Sequence, residues 1–273
     1  MRLRHLQLNL GMMAGIALSA GLAFAQPPQA PERLARIGDH PNLNGIWQAV
    51  NTANWNLEGQ SPKAFEEFWQ LGALFAAPAG QSVVEGGVIP YLPSALEQRE
   101  ANRAKWPSAD PEAKCYRAGI PRQTYLPYPF EIVQGDDNIL FVYEYATSNR
   151  VVRMSKDRLS PDEVLVDQWL GWSNGHWDGD TLVVEVFGQQ PNWLDRAGNF
   201  HNGATVTERY TPMGENHLWY EATIEDPSTF SRPWTISMPL YRRLEPNAEL
   251  LEYKCIPFAE PLLYGELLAD PIK

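Results

Sequence analysis

The chain has 273 residues, and the part beyond its leader is long enough to bury one substantial core. Its 22 Lys and Arg against 33 Asp and Glu give a net charge of −11, which becomes more negative when Arg2 and Arg4 leave with the leader. Such a surface repels phosphate backbones and anionic lipid, which argues against nucleic acid as a partner and leaves the substrate open.

Arg2, Arg4 and His5 precede an apolar and small-residue run from Leu10 to Phe24 that ends Ala23-Phe24-Ala25. A basic region, an apolar stretch and an A-x-A site read as a signal peptide cleaved after Ala25, which places the mature protein in the periplasm or outside the cell. A membrane anchor is the alternative, but the strongly apolar part is short for a bilayer span, and no later segment is suited to stable membrane insertion. Residues 26–41, rich in Pro, Gln and Ala, read as a flexible leader to one domain, 42–273.

That domain opens at Leu43-Asn44-Gly45-Ile46-Trp47-Gln48, whose Gly-x-Trp resembles the start of lipocalins and calycins, where the Trp plugs one barrel end. An ordinary buried Trp fits equally well. A helical insertion over about 61–106 follows. Ser61-Pro62 supplies an N-cap and first-turn proline for a short helix carrying Phe65, Phe68 and Trp69, which Gly72 weakens. Ser94 and Glu97 form a capping box for a helix over 95–105. The Pro/Gly-rich coil between them, 78–93, is suited to lie over a barrel mouth.

From Phe130 the hydrophobic period becomes two. Residues 130–134, 138–145, 150–154, 175–177, 181–187, 204–210, 217–225, 234–243 and 250–255 read as strands. Hairpin turns fall at Gly135-Asp136-Asp137, Asp178-Gly179-Asp180 and Met213-Gly214-Glu215-Asn216. Short sequential strands with local turns predict a mainly β protein, an antiparallel lipocalin-like barrel that removes its own edges by closing. Cys115 and Cys255 are the two cysteines, and an oxidising compartment makes a disulfide the expectation. It would tie the start of the β-rich region to its last strand, and in the chain-entropy model a loop this long stabilises by roughly 5 kcal/mol. A reactive thiol pair or soft metal site is the alternative, without a C-x-x-C or nearby histidines to support it.

The chain as a whole resembles a family of exported, largely uncharacterised proteins of soil and aquatic bacteria. The resemblance rests on Leu43–Trp47, Asp110-Pro111-Glu112-Ala113-Lys114-Cys115, Gly119-Ile120-Pro121-Arg122 and Pro129–Gln134 with Tyr143-Glu144. It continues through Trp177-Asp178-Gly179-Asp180-Thr181-Leu182-Val183-Val184, Trp193-Leu194-Asp195-Arg196-Ala197-Gly198 with His201, Thr207-Glu208-Arg209, Asp226-Pro227, Pro233-Trp234 and Glu252-Tyr253-Lys254-Cys255. The family brings no settled activity and no catalytic residues. His176 stands where the pattern has Arg, and Phe200-His201-Asn202 replaces Pro-His-Ser; both departures are suited to retuning a pocket.

The candidate chemistry comes from strand alternation. Glu208 shares a face with Val206 and Tyr210, Glu144 with Leu140 and Val142, and Glu185 with Val183 and Phe187. A carboxylate among apolar groups acts as acid or base near neutral pH; structural salt bridges to Arg150, Arg153, Arg209 or Arg242 are the alternative. Asp195 and His201 flank a Gly-containing loop and suggest a proton shuttle whose tautomer Asp195 fixes, or else a capped turn with His201 packed on Trp193. Glu208 as base, His201 with Asp195 for proton transfer, Tyr143 polarising an oxygen and Glu144 nearby make the catalytic set. Tyr125, Tyr128, Trp172, Trp177, Trp193 and His176 make the expected aromatic pocket, although most of the ten Trp should be core. No cofactor fingerprint, metal spacing or nucleophile motif accompanies them. The expectation is cofactor-independent isomerase or lyase chemistry on a small hydrophobic, oxygenated or aromatic molecule. A non-catalytic binding or transport barrel and a glycan-active hydrolase are the alternatives.

Overall fold

The computed structural model describes residues 35–64, 76–154 and 158–256. The expected signal peptide, most of the expected leader and the Phe65, Phe68 and Trp69 stripe lie outside the described residues. The last leader residues form a small ladder, β1 (Arg36–Ile37) with β2 (His40–Pro41). Lys63–Ala64, where the first helix was expected to begin, is instead a short strand, β4, paired with β5 (Ala76–Ala77). The second helix is present as α1 (Pro93–Ala104), but Leu92 is its N-cap and no side chain caps it. Pro93 explains the shift: its fixed φ suits the first helical position, so Ser94 already lies inside the first turn and cannot cap it. A capping box forms instead at Ser160 and Glu163, on a 3-10 turn at Pro161–Glu163.

The barrel strands are β3 (Gly45–Ala49), β6 (Phe130–Gln134), β7 (Asn138–Tyr143), β8 (Ser148–Met154), β9 (Trp172–Asp178), β10 (Thr181–Phe187), β13 (Thr205–Pro212), β14 (His217–Glu225) and β15 (Trp234–Arg242). They close in the order β10-β13-β14-β15-β3-β6-β7-β8-β9. Alternation drives this. In β14, Leu218, Tyr220, Ala222 and Ile224 are buried while their neighbours are partly or fully exposed. The expected meander is corrected in one respect. A ring of nine strands is odd, so strand direction cannot alternate all the way round and one pair must run parallel. That pair is β8–β9, where Val152, Arg153 and Met154 match Ser173, Asn174 and Gly175. Gly175 permits the approach: a Cβ there would lie 2.6 Å from Val152 Cγ1 and 2.5 Å from Met154 Sδ.

The lumen is filled by side chains. Ring centroids of Phe141 and Tyr210 lie 5.3 Å apart, and those of Tyr210 and Tyr220 5.0 Å. Trp47 is buried, donates from Nε1 to Leu43 O at 2.9 Å and is covered by Arg242, 4.4 Å from its ring centroid. A short helix, α2 (Arg122–Tyr125), packs against β3 with all four residues buried. The disulfide Cys115–Cys255 is formed, with Cα atoms 5.7 Å apart. Its second half lies in coil, because 250–256 is not a strand. Glu144 Oε2 accepts from Leu251 N at 2.9 Å, and Tyr253 packs on Tyr128 and Tyr145, so this segment is held by side chains in place of a ladder.

Candidate functional site

Glu208 points into the lumen, as its alternation with Val206 and Tyr210 requires, but its neighbours are not a catalyst's. Its Oε1 accepts from the Tyr210 and Tyr220 hydroxyls, each at 2.8 Å, and its Oε2 lies 2.6 Å from Arg150 Nη1. Arg150 Nε donates to the Tyr143 hydroxyl at 3.0 Å, and its guanidinium covers Phe141 at 4.6 Å. All these groups are buried. Burial opposes the Arg150 charge, yet Glu208 together with Tyr143 and Tyr210 outweighs it and holds the guanidinium well above its ordinary range. Burial pushes the Tyr143 hydroxyl up to about 12, so it is a phenol at neutral pH. Glu208 and Tyr143 thus belong to one buried polar cluster with Arg150, Tyr210 and Tyr220, in which the carboxylate is tied to a cation and two phenols.

Asp195 and His201 do not bond to each other among the described residues. Both belong to the hairpin of β11 (Asn192–Trp193) and β12 (Phe200–His201). Asp195 is fully buried and organises the loop. Its Oδ1 accepts from Ala197 N at 2.9 Å and Asn199 N at 3.2 Å, and its Oδ2 from Leu57 N at 2.9 Å and Asn199 Nδ2 at 2.6 Å. Burial raises its pKa to about 6, against the opposing pull of those bonds and of Arg122. His201 Nδ1 accepts from Gly203 N at 3.1 Å and Ala204 N at 3.0 Å. Backbone amides, and not Asp195, thus fix the tautomer and leave the proton on Nε2. Burial lowers the His201 pKa to about 4, partly opposed by Asp226, so the ring is neutral.

A cleft of about 410 Å³ opens at this hairpin. Trp193 and Phe200 give it an apolar wall, and His201, Asn192, Asn202, Gln98 and Asn102 give it polar atoms. α1 supplies Gln98 and Asn102 from one face, four residues apart. Gln98 Nε2 donates to Asn102 Oδ1 at 2.6 Å, and Asn102 Nδ2 to Gly198 O at 3.3 Å. None of the residues lining the cleft carries a formal charge with His201 neutral.

The remaining expected site residues disperse. Glu144 stands beyond the end of β7, bonded to Leu251 N. Glu185 pairs with Arg158 at 2.6 Å on the surface. His176 is exposed, and Trp177 stacks on His40 at 4.5 Å. Tyr125 is buried and donates to Leu194 O at 2.7 Å. Tyr128 borders another cleft, of about 400 Å³, beside Tyr253 and Arg196, and Trp172 a third. Of the expected set, His201 and Trp193 meet in the hairpin cleft.

Sequence reading missed the buried Arg122. It donates to Asp110 Oδ1 at 2.8 Å and Oδ2 at 3.0 Å, to Glu112 Oε2 at 2.6 Å and, from Nε, to Asn54 Oδ1 at 2.8 Å. Burial disfavours the Glu112 carboxylate, but Arg122 and Arg196 outweigh it and bring its pKa down to about 2. The acidic pair around Pro111 was the available signal; its partners come from three separate segments. A scan against protein-family models gave no match to this chain, and a search of the curated proteins gave none either.

Proposed function

We propose that this is an exported binding barrel whose hairpin cleft holds a small, neutral, oxygenated molecule with a flat apolar face. The carrying observation is the uncharged lining of the cleft in a chain whose net charge is −11. Charged ligands are matched by charged groups; carboxamides, an imidazole and an indole wall match neutral oxygens on a ring. The Cys115–Cys255 bridge supports an oxidising compartment. Within the cleft, His201 Nε2–H is the donor and Gln98 Oε1 a complementary acceptor.

A second reading is acid–base chemistry of the isomerase or lyase kind in the same cleft, favoured by the neutral imidazole. A ring with a pKa near 4 donates a hydrogen bond to a carbonyl without carrying charge. Glycoside hydrolysis is not supported, because the cleft lining holds no carboxylate pair.

The test uses 4-hydroxyacetophenone, flat, oxygenated and neutral at pH 6.5, in calorimetric titrations. His201→Asn keeps an acceptor for Gly203 N and Ala204 N and deletes Nε2–H; it should weaken binding about tenfold, the scale of one specific hydrogen bond. Trp193→Leu should weaken it similarly. Binding indifferent to both substitutions would remove the cleft from consideration. Conversion of the ketone by the parent protein, abolished in His201→Asn, would favour the second reading.

A further inference from the structure

The parallel closure leaves a cleft of its own. Among the described residues β8 and β9 pair over Val152–Met154, and the first half of β8 faces the 167–172 segment across a gap of about 460 Å³. Its charge balance is unlike that of the chain. Arg117, Arg150 and Arg153 line it, against one carboxylate, Asp167. Arg150 is committed to Glu208. Arg117 and Arg153 have no ion-pair partner among the described residues. Two indoles stand beside them. Trp169 is stacked on Tyr116 at 5.2 Å, and Trp172 is pinned by its Nε1 donating to Val166 O at 3.1 Å. The Arg153 guanidinium sits 5.4 Å from the Trp172 ring centroid, a cation–π contact that orders it and leaves its N–H donors available.

The walls are built, not incidental. Gln168 N donates to Gly188 O at 2.9 Å, and Gln190 N to Gln168 O at 3.0 Å, locking the segment to the end of β10. Gly171 turns the chain between the two indoles at φ +61°, where a Cβ would lie 2.7 Å from Phe187 O. Adjacent residues divide the two clefts: Gln190 faces this one, while Pro191 and Asn192 face the His201 cleft.

We propose that this seam cleft binds an aromatic carboxylate, its carboxylate between Arg117 and Arg153 and its ring against Trp169 and Trp172. Two arginines whose charges find no carboxylate among the described residues, in a strongly acidic protein, define an anion site, and guanidinium forks match carboxylates. The paired indoles select a ring, which a bare inorganic anion would not use. The proposal does not depend on what the His201 cleft holds.

Benzoate is the probe, with acetate lacking the ring and benzamide lacking the charge, titrated calorimetrically into the whole protein. Benzoate should bind at least tenfold more tightly than either control, and its affinity should fall as salt rises. Arg153→Gln should weaken benzoate about tenfold, and Asp167→Asn should tighten it about threefold. Should Arg153→Gln misfold by circular dichroism, the exposed Arg117→Gln carries the loss-of-binding arm. Benzoate binding no tighter than acetate or benzamide, or unmoved by these substitutions in folded protein, would overturn the proposal.

Discussion

Glu208 shows how a residue's direction can be legible while its role is not. The alternation Val206-x-Glu208-x-Tyr210 was enough to aim it inward. The partner that decides its chemistry, Arg150, lies on β8, which is not a sheet neighbour of β13, so only closure of the barrel brings the two to 2.6 Å. For His201 the loop shared with Asp195 suggested a shuttle, whereas short-range amides occupy its Nδ1. Glu208→Gln keeps an acceptor for the Tyr210 and Tyr220 hydroxyls and removes only the charge opposite Arg150. Stranding a buried cation costs about 3–5 kcal/mol, so we expect a loss of that size in urea unfolding. Glu208→Gln combined with Arg150→Met should recover most of it, with a coupling of about 2 kcal/mol or more. A folded Glu208→Gln protein as stable as the parent would show that the pair is not what holds this region.

At the scale of elements, the strands of the barrel were readable because period two is local and strong. The misplaced ends have separate causes. Pro93 displaced Ser94 from the cap, the chain turns into a 3-10 helix at Tyr145–Thr147, and 250–256 gave up a ladder for a disulfide and tyrosine contacts. The β11–β12 hairpin contains two opposed titrations. Asp195 has a folded pKa of about 6 against an ordinary 3.8, so the native state holds the proton more tightly and this group adds stability as pH falls through about 6. His201 has a folded value of about 4 against an ordinary 6.5, so the unfolded chain takes the proton first and stability is lost between about 6.5 and 4. Between about pH 7 and pH 5 each contributes about 1–2 kcal/mol, with opposite signs. The parent's melting temperature should therefore change little from this hairpin. That of His201→Asn should rise on acidification relative to the parent, and that of Asp195→Asn should fall. Parallel melting curves for all three proteins across this window would contradict the assignment of these groups.

For the whole molecule, composition, turn chemistry and alternation were sufficient to reach a closed barrel, and the expectation of an oxidising compartment was sufficient to pair Cys115 with Cys255. Strand count was beyond them: Gly45-x-Trp47 marked β3 as a barrel start, but whether the ring closes on eight strands or nine depends on which strands pair across the 80 residues between β3 and β6. The disulfide spans 140 residues of sequence, so its loss should lower stability by up to about 5 kcal/mol in the chain-entropy picture. Cys115→Ser/Cys255→Ser protein should melt well below the parent and keep its β-type circular dichroism; an unchanged melting temperature would show that the bridge constrains little. Joint lengths around the ring are uneven. β15–β3, β3–β6 and β8–β9 each hold three residue pairs, whereas β13–β14 and β14–β15 hold eight apiece. The ring is then two broader shells, β6–β8 and β9, β10 and β13–β15, with β3 as a narrow stave on one side and the parallel joint on the other. Arg150 reaches from the smaller shell to Glu208 on the larger and acts as a crossbar. A ligand seated in the gap beside the parallel joint would bear on both shells at once, as a strut placed where the staves are most ready to part.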